Sequence, residues 1–196
     1  LDGIGEGQEL EFITSVKLPD SLGWVYSSVT EYLGFKPNSG EGEVMGFAPY
    51  GKPLNTEEEN RVAALRKVMQ DYIYINPEDG SFHTKAEFFY YGQMPSGAQR
   101  ITGEMIERFS AAGVTPSRKS GKQLYANLPE DRPYANLAYV LQERTEEAVL
   151  AFVSYYLKSH PRTKGLSYLC TAGGIELNVL ANGKIIDSGL VSADNF

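Results

Sequence analysis

Cysteine and histidine are scarce: the 196 residues contain one of the first and two of the second. A single thiol excludes an intramolecular disulfide framework and points to a reducing cytoplasm. Cys170 falls in an apolar stretch and is expected to be a small buried residue rather than a nucleophile, since no histidine lies nearby in sequence. His83 sits in a hairpin-like segment and His160 precedes Pro161 at a helix end, so neither has a partner at metal-ligand spacing. No Ser-His-Asp set, zinc-finger spacing or P-loop can be assembled. Long apolar runs are absent, which excludes a membrane-spanning helix. A surplus of positive charge is absent too: the net charge of −7 argues against nucleic acid as the main partner. No internal repeat or low-complexity tract is found.

What is present is an ordinary globular composition, 42% hydrophobic and 22% charged, enough for a sizeable core. Residues 3–7 read as a glycine-rich turn and 8–18 as a strand. Asp20 or Ser21 caps a helix whose face carries Leu22, Val25, Tyr26, Val29 and Leu33, with Gly34 at its end. Thr56 and Glu59 form a capping box for a helix with an apolar stripe of Val62, Leu65, Met69 and Tyr72. Segments 72–75 and 81–84 pair as a hairpin. A helix covers about 101–112, and 115–133 is polar, breaker-rich and expected to be a mobile surface segment. The longest helix runs over about 133–159, with Leu137, Leu141, Thr145, Ala148, Phe152 and Tyr156 on one side, and Pro161 prevents its continuation. The last unit is a buried strand at 166–171, a Gly-Gly turn, and a short helix stopped by Asn182-Gly183. Alternating strands and helices indicate an α/β class with a mixed sheet. The two ends read as the interior of a longer protein, with 1–196 as one internal piece of a single domain.

Three places are candidates for chemistry. Gly173 and Gly174 lie between the apolar run and the short helix, where glycines let backbone approach a ligand and helix N–H groups face it. Asn178, one turn on, is placed to hydrogen-bond a sugar or base. The same junction also reads as a tight turn. Asp2, at a strand end and followed by Gly3 and Gly5, reads either as a carboxylate over a cleft or as an Asp-Gly hairpin turn. The glycines of Gly40-Glu41-Gly42-Glu43-Val44-Met45-Gly46 either approach a ligand or wrap a corner.

Taken together, Asp2-Gly3-Ile4-Gly5-Glu6, Gly40-Glu41-Gly42, Met45-Gly46-Phe47-Ala48-Pro49-Tyr50-Gly51, the stretch 135–147 with Gln142, Thr145 and Glu146, and Ala172-Gly173-Gly174-Ile175-Glu176-Leu177-Asn178 resemble the carbamoyltransferase family of the nodulation protein U type. The matches run in order along nearly the whole chain. The Met-Gly-x-Ala-Pro-Tyr-Gly signature is quite specific. The Gly-Gly-x-x-x-Asn pattern is shared with tRNA threonylcarbamoyl transferases.

The resemblance implies a ribonuclease-H-like fold of the actin and sugar-kinase ATPase superfamily, with nucleotide in the cleft. It implies transfer of a carbamoyl group from carbamoyl phosphate, through carbamoyl-adenylate, to a hydroxyl or amine of a small metabolite. ATP or carbamoyl-adenylate and a divalent metal, usually iron, are the implied cofactors. By the same resemblance Asp2 is a metal ligand, and Gly3, Gly42, Gly173, Gly174 and Asn178 are nucleotide-binding. The chain departs from the pattern in lacking the family's histidine pair, so the isolated piece is expected to be inactive. Glu43 stands where lysine is usual, which would weaken attraction for phosphate, and Phe47 and Glu176 also differ. Two alternatives remain: a catalytically silent nucleotide-binding or regulatory module, and a tRNA threonylcarbamoyl transferase-like enzyme.

Overall fold

A computed structural model describes residues 2–6, 9–90 and 100–196, with side chains described from residue 11 onward outside 91–99. Helices dominate. Strand β1 (Asp2–Glu6) pairs antiparallel with β2 (Glu9–Thr14), and β3 (Ile73–Ile75) pairs antiparallel with β4 (Phe82–Thr84). The α/β class is present, but the strands among the described residues form two separate hairpins instead of one mixed sheet.

Among the described residues six α-helices carry the core: α1 (Leu22–Tyr32), α2 (Glu41–Phe47), α3 (Thr56–Tyr72), α4 (Gly103–Ala111), α5 (Arg132–Lys158) and α6 (Val179–Asp187). The apolar stripes read for α1 and α3 are buried faces, whereas the stripe of α5 is buried only as far as Ala148, with Phe152 and Tyr156 half-buried. Val25 and Val29 from α1 with Leu33 at its C-cap, and Val62, Leu65, Met69 and Tyr72 from α3, pack with Leu137 and Leu141 of α5. Ser21 caps α1, its side chain accepting from the Trp24 amide. No helix among the described residues is long and apolar enough to cross a membrane.

The Met45–Gly51 signature is mostly a docking device. Its 3-10 turn, Ala48–Gly51, lies directly on α5. A Cβ at Gly51 would fall 1.8 Å from the Ala135 carbonyl oxygen, so only glycine permits the approach. Arg132, at the start of α5, donates to the carbonyls of Tyr50 and Lys52 and to both carboxylate oxygens of Glu58. Asn136 donates to the Gly51 carbonyl at 2.8 Å. The Arg132 guanidinium holds the Glu58 carboxyl well below its usual range, at about 2.

Several expectations need correction. Residues 3–6 are strand, not turn: Asp2 begins β1 instead of ending a strand, because backbone pairing such as Gly3 with Phe12 outweighs the turn preference of glycine. The α3 cap lies one residue earlier than Thr56. Asn55 accepts from the Glu58 amide at 3.0 Å, and Glu58 turns back to the Leu54 amide. Segment 115–133 is tied down. The Gly121 amide donates to the Gly34 carbonyl at 2.7 Å, and buried Asp131 accepts from Lys119 and the Tyr125 amide.

The stretch 166–171 is neither a strand nor buried. Two of its amides are tied, Leu166 to the Thr163 carbonyl and Leu169 to the Asn195 carbonyl, and no strand among the described residues lies beside it. A strand needs a paired neighbour, so its apolar residues stand open, Tyr168 at 73% exposure. Cys170 is accordingly exposed. Finally, α6 runs through Asn182-Gly183 because Ala181 and Ile185 bury its inner face, and it stops before Gly189, at φ +70°.

Candidate functional site

The α1 and α2 helices and the Gly173–Asn178 segment enclose a cleft of about 500 Å³. Each contributes for a local reason. Gly40 wraps the corner into α2, where a Cβ would meet Phe35 at 2.9 Å, whereas Gly42 faces open space in the cleft. Gly40 thus wraps the corner while Gly42 lines the cleft, and the segment 41–47 is helix rather than loop. Met45 follows Gly42 into the lining, and Ile175 and Leu177 supply apolar surface from the other side.

Gly173 holds φ +128°, a conformation that suits glycine, and turns the chain into the short 3-10 segment Gly174–Leu177. That segment is too short to supply the helix-dipole field expected of the Gly-Gly junction. Gly174 itself lines the cleft. Asn178 does not sit one turn into a helix. It is the N-cap of α6, its side-chain oxygen accepting from the Ala181 amide at 3.1 Å. Helix α6 therefore begins four residues later than the glycines suggested, because Asn178 stops the preceding turn and starts the next one.

The floor of the cleft is a buried polar cluster. Asn178 and Gln142 exchange reciprocal amide hydrogen bonds, both 2.9 Å. Tyr26 donates its hydroxyl to Gln142 Oε1 at 2.9 Å, and Gln142 donates to Glu146 at 2.8 Å. Burial raises the Tyr26 hydroxyl above its ordinary range, with the nearby Glu146 and Glu41 charges adding to the effect, so it stays protonated at neutral pH. At one rim, Glu41 accepts from the Asn38 amide at 2.7 Å. Behind that wall Arg100 donates to Ser27 at 3.0 Å and stacks on Trp24 at 4.8 Å.

Three of the residues assigned to nucleotide binding, Gly42, Gly174 and Asn178, thus line one cleft, with Gly173 shaping the turn beside it. Glu43 is not in the lining. Its carboxylate points to Lys122 at 3.8 Å, so the departure from lysine does not place a negative charge in the cleft. Gly3 and Asp2 belong to β1, and the Asp2 side chain lies outside the described residues. Among the described residues no group of three or more His, Cys, Asp or Glu side chains could hold a metal ion. His83 meets a carboxylate after all, Asp20 at 3.0 Å, but on an exposed face.

Sequence reasoning noted Gln142 and Tyr26 only as matches or core positions. The usable signal was a lone amide on the apolar side of α5, between Leu141 and Thr145.

The family model for the carbamoyltransferase N-terminus matches residues 3–193. An uncharacterized protein of Synechocystis sp. is 30% identical over 185 residues, covering 94% of this chain and 26% of that protein. Nodulation protein NolNO of Sinorhizobium fredii is 26% identical over 187 residues, covering 95% of this chain and 22% of the relative. Nodulation protein NolO of Bradyrhizobium diazoefficiens is 27% identical over 190 residues, covering 97% and 28%. The chain spans about a quarter of the length of these relatives. With the model matched across nearly every residue, the chain belongs to the carbamoyltransferase N-terminal family.

Proposed function

We propose that the cleft binds the nucleoside part of ATP or carbamoyl-adenylate, and that the protein transfers a carbamoyl group from carbamoyl phosphate to a hydroxyl or amine of a small metabolite. The observation that carries this reading is the convergence of Gly42 with Gly174 and Asn178 on one cleft, although the chain separates them widely. Its volume of about 500 Å³ lies in the usual range for small-molecule sites. Apolar surface from Met45, Ile175 and Leu177 suits the faces of a base, while Gly42 and Gly174 leave room for close approach. Among the described residues the lining contains no lysine or arginine. That favours a nucleoside over the polyphosphate as the part held here.

In the transfer step the acceptor oxygen or nitrogen bonds to the carbamoyl carbon, the bond from that carbon to the phosphate oxygen breaks, and the acceptor loses its proton. AMP leaves. The role of the residues described is to bind and orient the adenylate, since positioning a reactant supplies a large part of such a barrier. Iron belongs to this proposal only as an expectation attached to Asp2. We also place the chain in a ribonuclease-H-like, actin-type ATPase fold and in the cytoplasm; the Gly-Gly cleft supports the first, and the unpaired thiol of Cys170 suits the second.

Calorimetric titration of the full-length protein with ATP, together with transfer of labelled carbamoyl phosphate to candidate acceptors, tests the reading. Saturable ATP binding and label transfer are expected. ATP binding without transfer favours the silent module, and no ATP binding at all overturns the proposal.

A further inference from the structure

We infer that Gln142 is a positioning residue that makes Asn178 a hydrogen-bond donor, and only a donor, toward whatever occupies the cleft. The inference rests on the reading of the cleft as a ligand site. Gln142 is 3% exposed and is not part of the lining, yet it bonds two residues that are, Tyr26 and Asn178.

All four hydrogen-bonding positions of the Gln142 amide are used. Its nitrogen donates to Asn178 Oδ1 at 2.9 Å and to Glu146 Oε1 at 2.8 Å. Its oxygen accepts from Asn178 Nδ2 and from the Tyr26 hydroxyl, both at 2.9 Å. An amide satisfied in this way has one orientation, because turning it over would face donor to donor and acceptor to acceptor.

Both ends of the chain of bonds fix the same sense. The Ala181 amide can only donate, so the Asn178 atom that receives it must be the oxygen. The Glu146 carboxylate accepts, so the Gln142 atom facing it must be the nitrogen. Asn178 then has its oxygen committed twice and one Nδ2 hydrogen committed once. What remains for the cleft is the second Nδ2 hydrogen. A ligand meets a donor there and must present an acceptor, such as an unprotonated ring nitrogen or a carbonyl oxygen. A free asparagine would accept either kind of ligand group by rotating its amide; Gln142 removes that choice.

The test uses ATP as probe on the full-length protein, with hydrogen exchange of residues 173–182 measured alongside. Gln142→Met keeps the size and removes all four bonds. ATP affinity is expected to fall about tenfold and exchange in 173–182 to rise by a similar factor, the scale seen when a supporting hydrogen bond behind a ligand residue is removed. Gln142→Glu keeps the size and the acceptor for Tyr26 and Asn178 Nδ2 but sets an oxygen against Asn178 Oδ1, so ATP affinity is expected to fall at least as far as in Gln142→Met, whereas Glu146→Gln leaves the Asn178 pair in place and is expected to stay within about threefold of the starting protein. A purely space-filling role for Gln142 would leave Gln142→Met binding ATP normally, and that result overturns the inference. So does a Gln142→Glu variant that binds ATP as tightly as the starting protein. If the unmodified protein does not bind ATP, the proposed function falls while the exchange data still judge the positioning role: unchanged exchange in Gln142→Met ends it.

Discussion

Arg132 on α5 and Glu58 on α3 face each other as a buried, two-pronged pair, with Nε to Oε1 at 2.8 Å and Nη2 to Oε2 at 2.5 Å. The same guanidinium reaches the carbonyls of Tyr50 and Lys52, so one side chain holds α3, α5 and the turn that follows α2. The α2 helix in turn carries Gly42 and Met45 into the cleft.

Removing one partner strands the other. Arg132→Met leaves Glu58 buried without its cation and frees the carbonyls of Tyr50, Lys52 and Ala126, so a stability loss of about 3–5 kcal/mol is expected. Urea unfolding followed by circular dichroism measures it. A loss close to that of an exposed ion pair, about 1 kcal/mol or less, would contradict the role given to this pair.

The pair also sets an acid limit. Glu58 ionises at about 2 in the folded protein against an ordinary value of 4.5. A depressed carboxyl pKa means the unfolded chain takes up the proton first. Its stabilisation is complete above pH 4.5 and is lost as pH falls toward 2. The urea midpoint is expected to drop through that window, and Glu58→Gln to show a smaller drop from a lower starting stability.

Two glycines of the signature region should respond in opposite ways. At Gly51 a methyl group meets the Ala135 backbone, and G51A is expected to destabilise by about 3 kcal/mol. At Gly42 nothing lies within 4 Å, and the residue is helical. G42A should therefore unfold no earlier than the original, gaining up to about 1 kcal/mol of helix propensity, while its methyl group narrows the cleft and weakens ATP binding. Thermal melts paired with calorimetry separate the two effects.

Asn178→Asp separates capping from ligand binding. Aspartate keeps the cap on the Ala181 amide but sets an oxygen against Gln142 Oε1, so α6 should form while stability falls by about 1–3 kcal/mol. The carboxylate offers the cleft acceptors in place of a donor. ATP affinity is expected to fall at least about tenfold, the cost of replacing a hydrogen bond with a mismatch. Equal affinity in the variant would show that Asn178 serves α6 alone.

Helices were legible in the sequence because their signals are local. The stripe Val62, Leu65, Met69 and Tyr72 and the Ser21 cap require only neighbours three or four residues apart, and the buried face followed directly. The hairpin of β3 and β4 was legible for the same reason. Strand character at 166–171 was not, because a strand is completed by a partner, and apolar residues without one stay exposed. The start of α6 moved because Asn178 had two possible uses, and its bond to Gln142, 36 residues away, selected one of them.

By itself, the sequence determined the helical framework, the family, and the residue types available to a ligand, since these depend on short-range pattern and on motif. Tertiary structure decided what those residues do. Distances across the chain placed Gly42 beside Gly174, turned Glu43 toward Lys122 and away from the cleft, and seated Gly51 against α5. Hydrogen-bond direction, which no linear pattern encodes, left Asn178 with a single donor for the cleft.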